Sequence, residues 1–220
     1  MLHFPLIALL AWLPIATASQ AQGFRFSNED QAQQAEKAAA AERQARVQSQ
    51  LAAPCRDKIK NQKIMVLIGE ERNGAIFATQ SAYSSHVNAI NQRLHSLGLR
   101  IYTPEEIRKQ IAQAEINAYF KNDPDAAISA SKRLAAQYIL RGLISTQASR
   151  NLIVNVNQVS VSMNFTLTGS NGNMISQAAA SNESYAGRDI MGMALTLINE
   201  RADEVVAQLY SDYCQKSGVR

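Results

Sequence analysis

The chain has 220 residues, a formal net charge of +4 and two cysteines, with 46% hydrophobic and 18% charged residues. That apolar content excludes a disordered or low-complexity protein, and the length suits one globular domain plus an extension. The mild positive charge is scattered, with no Lys/Arg block of the kind that tracks phosphates, so the composition points away from nucleic acid.

Residues 1–18, "MLHFPLIALLAWLPIATA", have an apolar core from Pro5 to Ile15 and small residues at Ala16 and Ala18. This is the pattern of a signal peptide cleaved near Ala18. A retained anchor is the competing reading, but the stretch is short and broken by proline. Export to the periplasm is the expectation, with no membrane span in the mature chain. No cysteine follows the apolar run to accept a lipid.

Residues 19–53 read as an Ala/Gln-rich helical extension. Ser27–Ala53 is rich in Ala, Gln, Glu and Arg, with few large apolar side chains before Val47 and Leu51. Such a helix buries little on its own. Pro54 ends it, and residues 54–220 form the expected domain. Its two cysteines, Cys55 and Cys214, lie at opposite ends. In an oxidising compartment they pair most simply as one disulfide, two unpaired thiols being the alternative.

Lys63–Glu70 is a continuous apolar run of strand length, the mark of a strand buried on both faces. The segment from Glu71 to Ala82 reads as a loop. Tyr83, Val87, Ile90, Leu94 and Leu97 form a helical stripe that stops at Gly98. A short strand follows, and Thr103–Pro104–Glu105–Glu106 starts a helix expected to run towards Phe120. Asp123 caps a further helix, and Gln137–Thr146 is the next strand.

Asn151–Asn182 contains no charged residue. Leu152, Val154 and Val156 alternate, then Val159, Val161, Met163, Phe165 and Leu167 alternate one residue out of phase. A β-bulge at Asn157–Gln158 would explain the slip, and a loop that splits the strand is the rival. Asn171–Gly172 signals the turn to a hairpin partner. A long amphipathic helix within Arg188–Cys214 closes the chain. The predicted order is β-α-β-α-α-β-β-β-α after the first helix: an α/β (α+β) fold on a mixed sheet, with a long bulged hairpin.

Chemistry is sparse. His86 and His95 are nine apart, off the i, i+4 spacing of a shared ligand face, and read as surface or helix-edge residues. No metal, cofactor or nucleophile–base set emerges, so no enzyme is expected. Glu70, Glu71 and Arg72, at a strand's C-terminal end, are the weak catalytic candidates. "GEERNGA" lacks the spacing and the Lys-Ser/Thr of a phosphate loop. Asn155, Asn157, Ser160, Ser162 and Asn164 form an uncharged strand surface. It is solvated, covered by the domain's own helices, or a seat for a partner.

"RLHSLGLRIYTPEEIRKQI", "DPDAAISASKRLAAQYILRGLIS", the hairpin "FTLTGSNGNMIS" and the terminal amphipathic helix together resemble a group of bacterial envelope domains. The group comprises the LpoB-type activators of penicillin-binding proteins, the amino-terminal domain of TolB, CsgG and the middle domain of FlgT. The resemblance spans roughly Lys63 to Cys214. It implies a non-catalytic module that binds envelope proteins and helps assemble or regulate a flagellar, secretion or peptidoglycan-synthesis machine; self-association through the Ala-rich helix or a sheet edge is a separate possibility. This chain departs from the group in lacking a lipid-accepting cysteine, and its hairpin is too polar for a membrane-spanning pore. The alternative is an enzyme or small-ligand binder using the loop after Glu70.

Overall fold

A computed structural model describes residues 27–216, apart from 73, 79–83, 122 and 154. The leader and Tyr83 lie outside the described residues. Contacts divide the chain into two units, 1–39 and 40–220. Helix α1 (Ser27–Leu51) begins in the first. Within the second, Val47 is buried, Leu51 packs on the main core, and Gln50 donates a hydrogen bond to Gln208. A single turn, α2 (Arg56–Ile59), follows Cys55.

β1 (Lys63–Arg72) is buried from Ile64 to Glu70, as the unbroken apolar run requires. The expected loop after it contains a short strand, β2 (Ala75–Phe77), folded back antiparallel on β1 with Glu70 opposite Phe77. α3 (Ser85–Ser96) buries Val87, Ile90 and Leu94 and stops at Gly98, whose φ of +95° only glycine adopts readily. β3 (Arg100–Ile101) pairs parallel with β1.

α4 (Pro104–Gln110) starts with a full capping box. Thr103 Oγ1 accepts from the Glu106 amide at 3.2 Å, and Glu106 Oε2 accepts from the Thr103 amide at 2.8 Å. The expected single helix to Phe120 is in fact two. Ile111 turns extended and is buried, and α5 (Gln113–Phe120) restarts with Glu115 accepting from the Ala112 amide. Burying Ile111 replaces the continuous helix ladder. α6 (Pro124–Leu134) is capped by Asp123, as its sequence indicates.

β4 (Tyr138–Asn151), β5 (Val156–Gly169) and β6 (Met174–Ala186) complete a mixed sheet in the order β2-β1-β4-β5-β6, with β3 beside β1. α7 (Ile190–Lys216) ends the described chain. β1 and β4 run parallel; the β4–β5 and β5–β6 pairs are antiparallel.

The slip at Asn157–Gln158 is not a bulge. β4 and β5 pair without a shift from Tyr138↔Gly169 to Asn151↔Val156. Leu152 belongs to the connecting turn, where Asn155 sits at φ +53°, Val156 opens β5, and Val154 lies outside the described residues; the core alternation begins at Val159. A loop does not split the strand there either: Asn157 and Gln158 lie inside β5, and the turn precedes Val156. The hairpin's bulge lies at its other end, where Leu167 pairs with Ser176 and Thr168 with Met174, leaving Ile175 as the extra residue.

Two cores flank the sheet. Ile64, Val66 and Ile68 of β1 join Val161, Met163 and Phe165 of β5 beneath α3 and α7. Met65 and Leu67, of opposite phase, pack with Ile107, Ile116, Phe120 and Leu134 of α4–α6. Gly142, directly opposite Phe165, leaves room for its ring: a Cβ there would lie 2.4 Å from Phe165 Cε1.

Cys55 and Cys214 are joined as a disulfide with Cα atoms 5.6 Å apart. Tyr210 donates to the Ala53 carbonyl at 2.6 Å, and Tyr138 and Tyr213 share a 2.9 Å hydrogen bond close by in sequence.

Two outcomes follow from this packing. Gly142→Ala is expected to lower the urea midpoint by the equivalent of about 1–3 kcal/mol with the slope unchanged. Replacing both cysteines by serine is expected to cost roughly 2–5 kcal/mol in the same titration, and a reducing agent should then have no further effect.

Candidate functional site

The sheet is covered unevenly. On the face carrying α4–α6, Arg141 of β4 lies over the rings of Tyr119 and Phe120 at 5.3 and 5.6 Å. Farther along, the same face carries a polar lattice in strict register. Ser145, Ser162 and Ser181 form one row across β4, β5 and β6; Gln147, Ser160 and Glu183 form the next. Asn164, Ala179 and Ser181 are exposed, and Ser160 and Ser162 are half-buried. Small hydroxyl side chains leave shallow depressions of about 440 and 480 Å³, which Arg201 of α7 also lines. Arg201 Nη1 pairs with Glu204 at 3.1 Å, while its Nε is buried and has no hydrogen-bond partner among the described residues.

Of the five residues expected to form one surface, three do. Ser160, Ser162 and Asn164 share the lattice face. Asn155 sits in the turn, its Oδ1 accepting from Arg150 Nε at 2.9 Å. Asn157 alternates onto the side of Val159 and donates to the Gly187 carbonyl. The strand period begins only at Val156, after the turn, so Asn155 leaves the set with the turn and Asn157 by falling on the opposite phase.

A second constellation lies at the C-terminal end of β1. Glu70 is buried, and its Oε2 takes Arg72 Nη2 at 2.5 Å. Its Oε1 accepts from the Ser84 hydroxyl and lies 3.5 Å from His86 Nδ1. His86 is not a surface residue: it is 5% exposed, in the first turn of α3, tucked against that carboxylate. The pairing spans sixteen positions through a segment without periodicity, so only Glu70's place at a strand end hinted at it. Glu71, beside it, is only half-buried and joins none of these contacts.

Hydrogen bonding from His86, then from Ser84 and Arg72, outweighs burial and pulls the Glu70 carboxyl down to about 2. A carboxylate so acidic is a poor proton acceptor near neutrality. Ser84 is engaged twice, donating to Glu70 and accepting from the Val87 amide at 3.2 Å. The cluster therefore ties β1 to the start of α3, in the manner of a helix cap. Beside it lies a cavity of about 310 Å³ lined by Arg72, Ser84, Ser85, His86, Met191, Gly192 and Leu195. Among the described residues, no three His, Cys, Asp or Glu side chains converge as a metal site, and no helix is long and apolar enough to cross a membrane.

No family model matches the chain, and no curated protein matches it. Among solved structures it is similar to the hypothetical protein CT253 of Chlamydia trachomatis, at 14% identity and a TM-score of 0.43, covering 67% of this chain and 98% of that one. It is similar to lipoprotein GNA1162 of Neisseria meningitidis at 14% identity and a TM-score of 0.38, covering 62% and 92%. It is also similar to the LpoB C-terminal domain of Salmonella enterica at 14% identity and a TM-score of 0.36, covering 59% and 93%. The last is of the LpoB type named above.

A depressed carboxyl contributes stability that is complete above its ordinary value of 4.5 and is lost as pH falls towards about 2. Unfolding measured over that window should show Glu70→Gln flattening the acid limb by no more than about 3 kcal/mol. An unchanged slope would mean that the cluster holds nothing together.

Proposed function

We propose that this chain is a non-catalytic interaction module of a bacterial cell envelope, exported to the periplasm, that seats a protein partner on the open face of β4–β6 and so helps assemble or regulate an envelope machine. The observation that carries this reading is the half-covered sheet. Helices shield the face over β1 and the start of β4, and then a lattice of serine and asparagine continues without cover. Hydroxyl and amide groups cost less to strip of water than charges do, so a partner can dock there at small penalty. The unpartnered Arg201 Nε beside the depressions favours a partner whose approach rearranges that side chain towards an acceptor. The leader-like residues 1–18 and the Cys55–Cys214 bridge support an exported location.

A second reading is favoured by the cavity beside Glu70. Its lining combines a half-exposed arginine with Met191 and Leu195, which suits a small ligand with an anionic end and an apolar body. A rise in melting temperature on adding such a compound, abolished by Arg72→Ala, would favour it.

Cross-linking with mass spectrometry in the native envelope tests the first reading and names the machine, whether flagellar, secretory or peptidoglycan-synthesising. Ser162→Glu is expected to cut partner recovery about tenfold or more, because a charge must be desolvated on docking. The melting temperature should move by only a few degrees, since the face is open. Equal recovery from the variant would move the partner elsewhere; collapse of the fold would mean that the face is internal.

A further inference from the structure

Most of the large exposed apolar side chains lie towards the half of the sheet into which β1 and β4 run, Met174 at the other end being an exception. Leu152 and Ile153, 87% and 94% exposed, form the tip of the β4–β5 hairpin. Ile76 and Phe77 lie on β2, level with Ser145 and Ile144 of β4, and so stand well behind the tip, which projects alone. Met191 opens α7 beside Arg72 and Ser84. Nothing in the described fold covers them: Leu152 and Ile153 belong to neither core.

We propose that this end is a membrane-contacting pole whose β4–β5 tip inserts shallowly into a phospholipid surface. The register orders the side chains by depth. Leu152 and Ile153 come first. Behind the row of Asn151 and Val156 comes that of Arg150, Asn157 and Ala186, with the exposed Arg188 two residues beyond Ala186. The row behind is Ser149, Gln158 and the exposed Tyr185. Aliphatic, then cationic and aromatic, then polar is the order met on passing from acyl chains through headgroups to water. Rows spaced by about 3.4 Å place that sequence within the 5–10 Å depth of an interfacial segment.

The backbone suits lipid as well. Strand pairing continues to Asn151↔Val156, and the Ile153 amide donates to Asn151 Oδ1 at 3.0 Å, so these groups are satisfied within the hairpin. No charge lies between Arg150 and Glu183. Of the nearby acids, Asp189 caps the Gly192 amide and Glu183 sits three rows behind Arg150, against Gln158. A protein seat would ask for one contiguous patch of standard size. Here the apolar residues ride on separate projections, which a fluid surface accommodates. The contact needs no spanning helix, and it is independent of the sheet-face reading above.

Trp12, within the leader, is the sole tryptophan, so a processed chain carrying Ile153→Trp has one indole, at the tip. The test adds vesicles of phosphatidylethanolamine with a minor fraction of phosphatidylglycerol, and follows emission and co-sedimentation. The expected result is a blue shift with the pelleted chain. The pair Leu152→Ser and Ile153→Ser should lower vesicle partition about tenfold or more while leaving the melting temperature in place. Met174→Ser, at the opposite end of the sheet, should change nothing. The proposal is overturned if the chain fails to bind vesicles, if the serine pair binds as well as the parent, or if light scattering shows a tip-dependent dimer that ignores lipid.

Discussion

The antiparallel pairing of β4 with β5 is the constraint on which the rest of the molecule depends. Its ladder runs unbroken from Tyr138↔Gly169 to Asn151↔Val156. One residue of slip would carry Val159, Val161, Met163 and Phe165 off the core beneath α7 and put serines in their place. Phe165 in turn requires the bare backbone of Gly142 opposite it. Register, core composition and the location of the polar lattice are thus one decision, made once, along one pair of strands.

The length of that pair also explains why the sheet is not fully clothed. β4 and β5 have fourteen residues each, whereas β1 has ten, and the helices that follow from the β1 crossover have only β1 and the start of β4 to sit on. The surplus strand projects beyond the helical layers. Its middle presents hydroxyls and amides, and its end presents Leu152 and Ile153. A domain with no use for that surplus gains nothing from keeping it, because an edge like β6 invites unwanted pairing.

Much of this was legible from residue order. The apolar run of β1, the Thr103–Pro104 start, the Asp123 cap, the Gly98 stop and the Asn171–Gly172 turn each encode their structure within a few positions, so local chemistry suffices to read them. The failures share the opposite property. Leu152 and Val156 look like core residues because alternation does not say which side of a turn they lie on. Ile111 fits a helix by period, yet leaves it to fill a core that only the fold reveals. The union of His86 with Glu70 crosses a segment with no periodic signal, and β2 is too short to announce itself. Within the candidate site, Ser160, Ser162 and Asn164 were readable as one surface by period two alone, whereas Asn155 was misplaced with the turn and Asn157 falls on the opposite phase.

The bridge between Cys55 and Cys214 spans 159 positions and encloses the entire sheet in a covalent ring. This defines a load path. Tension entering from the segment before Cys55 crosses the sulfur bond directly into α7 and bypasses β1, which would otherwise be drawn out from between its neighbours. The domain can be pulled from either end while its strands carry none of the force.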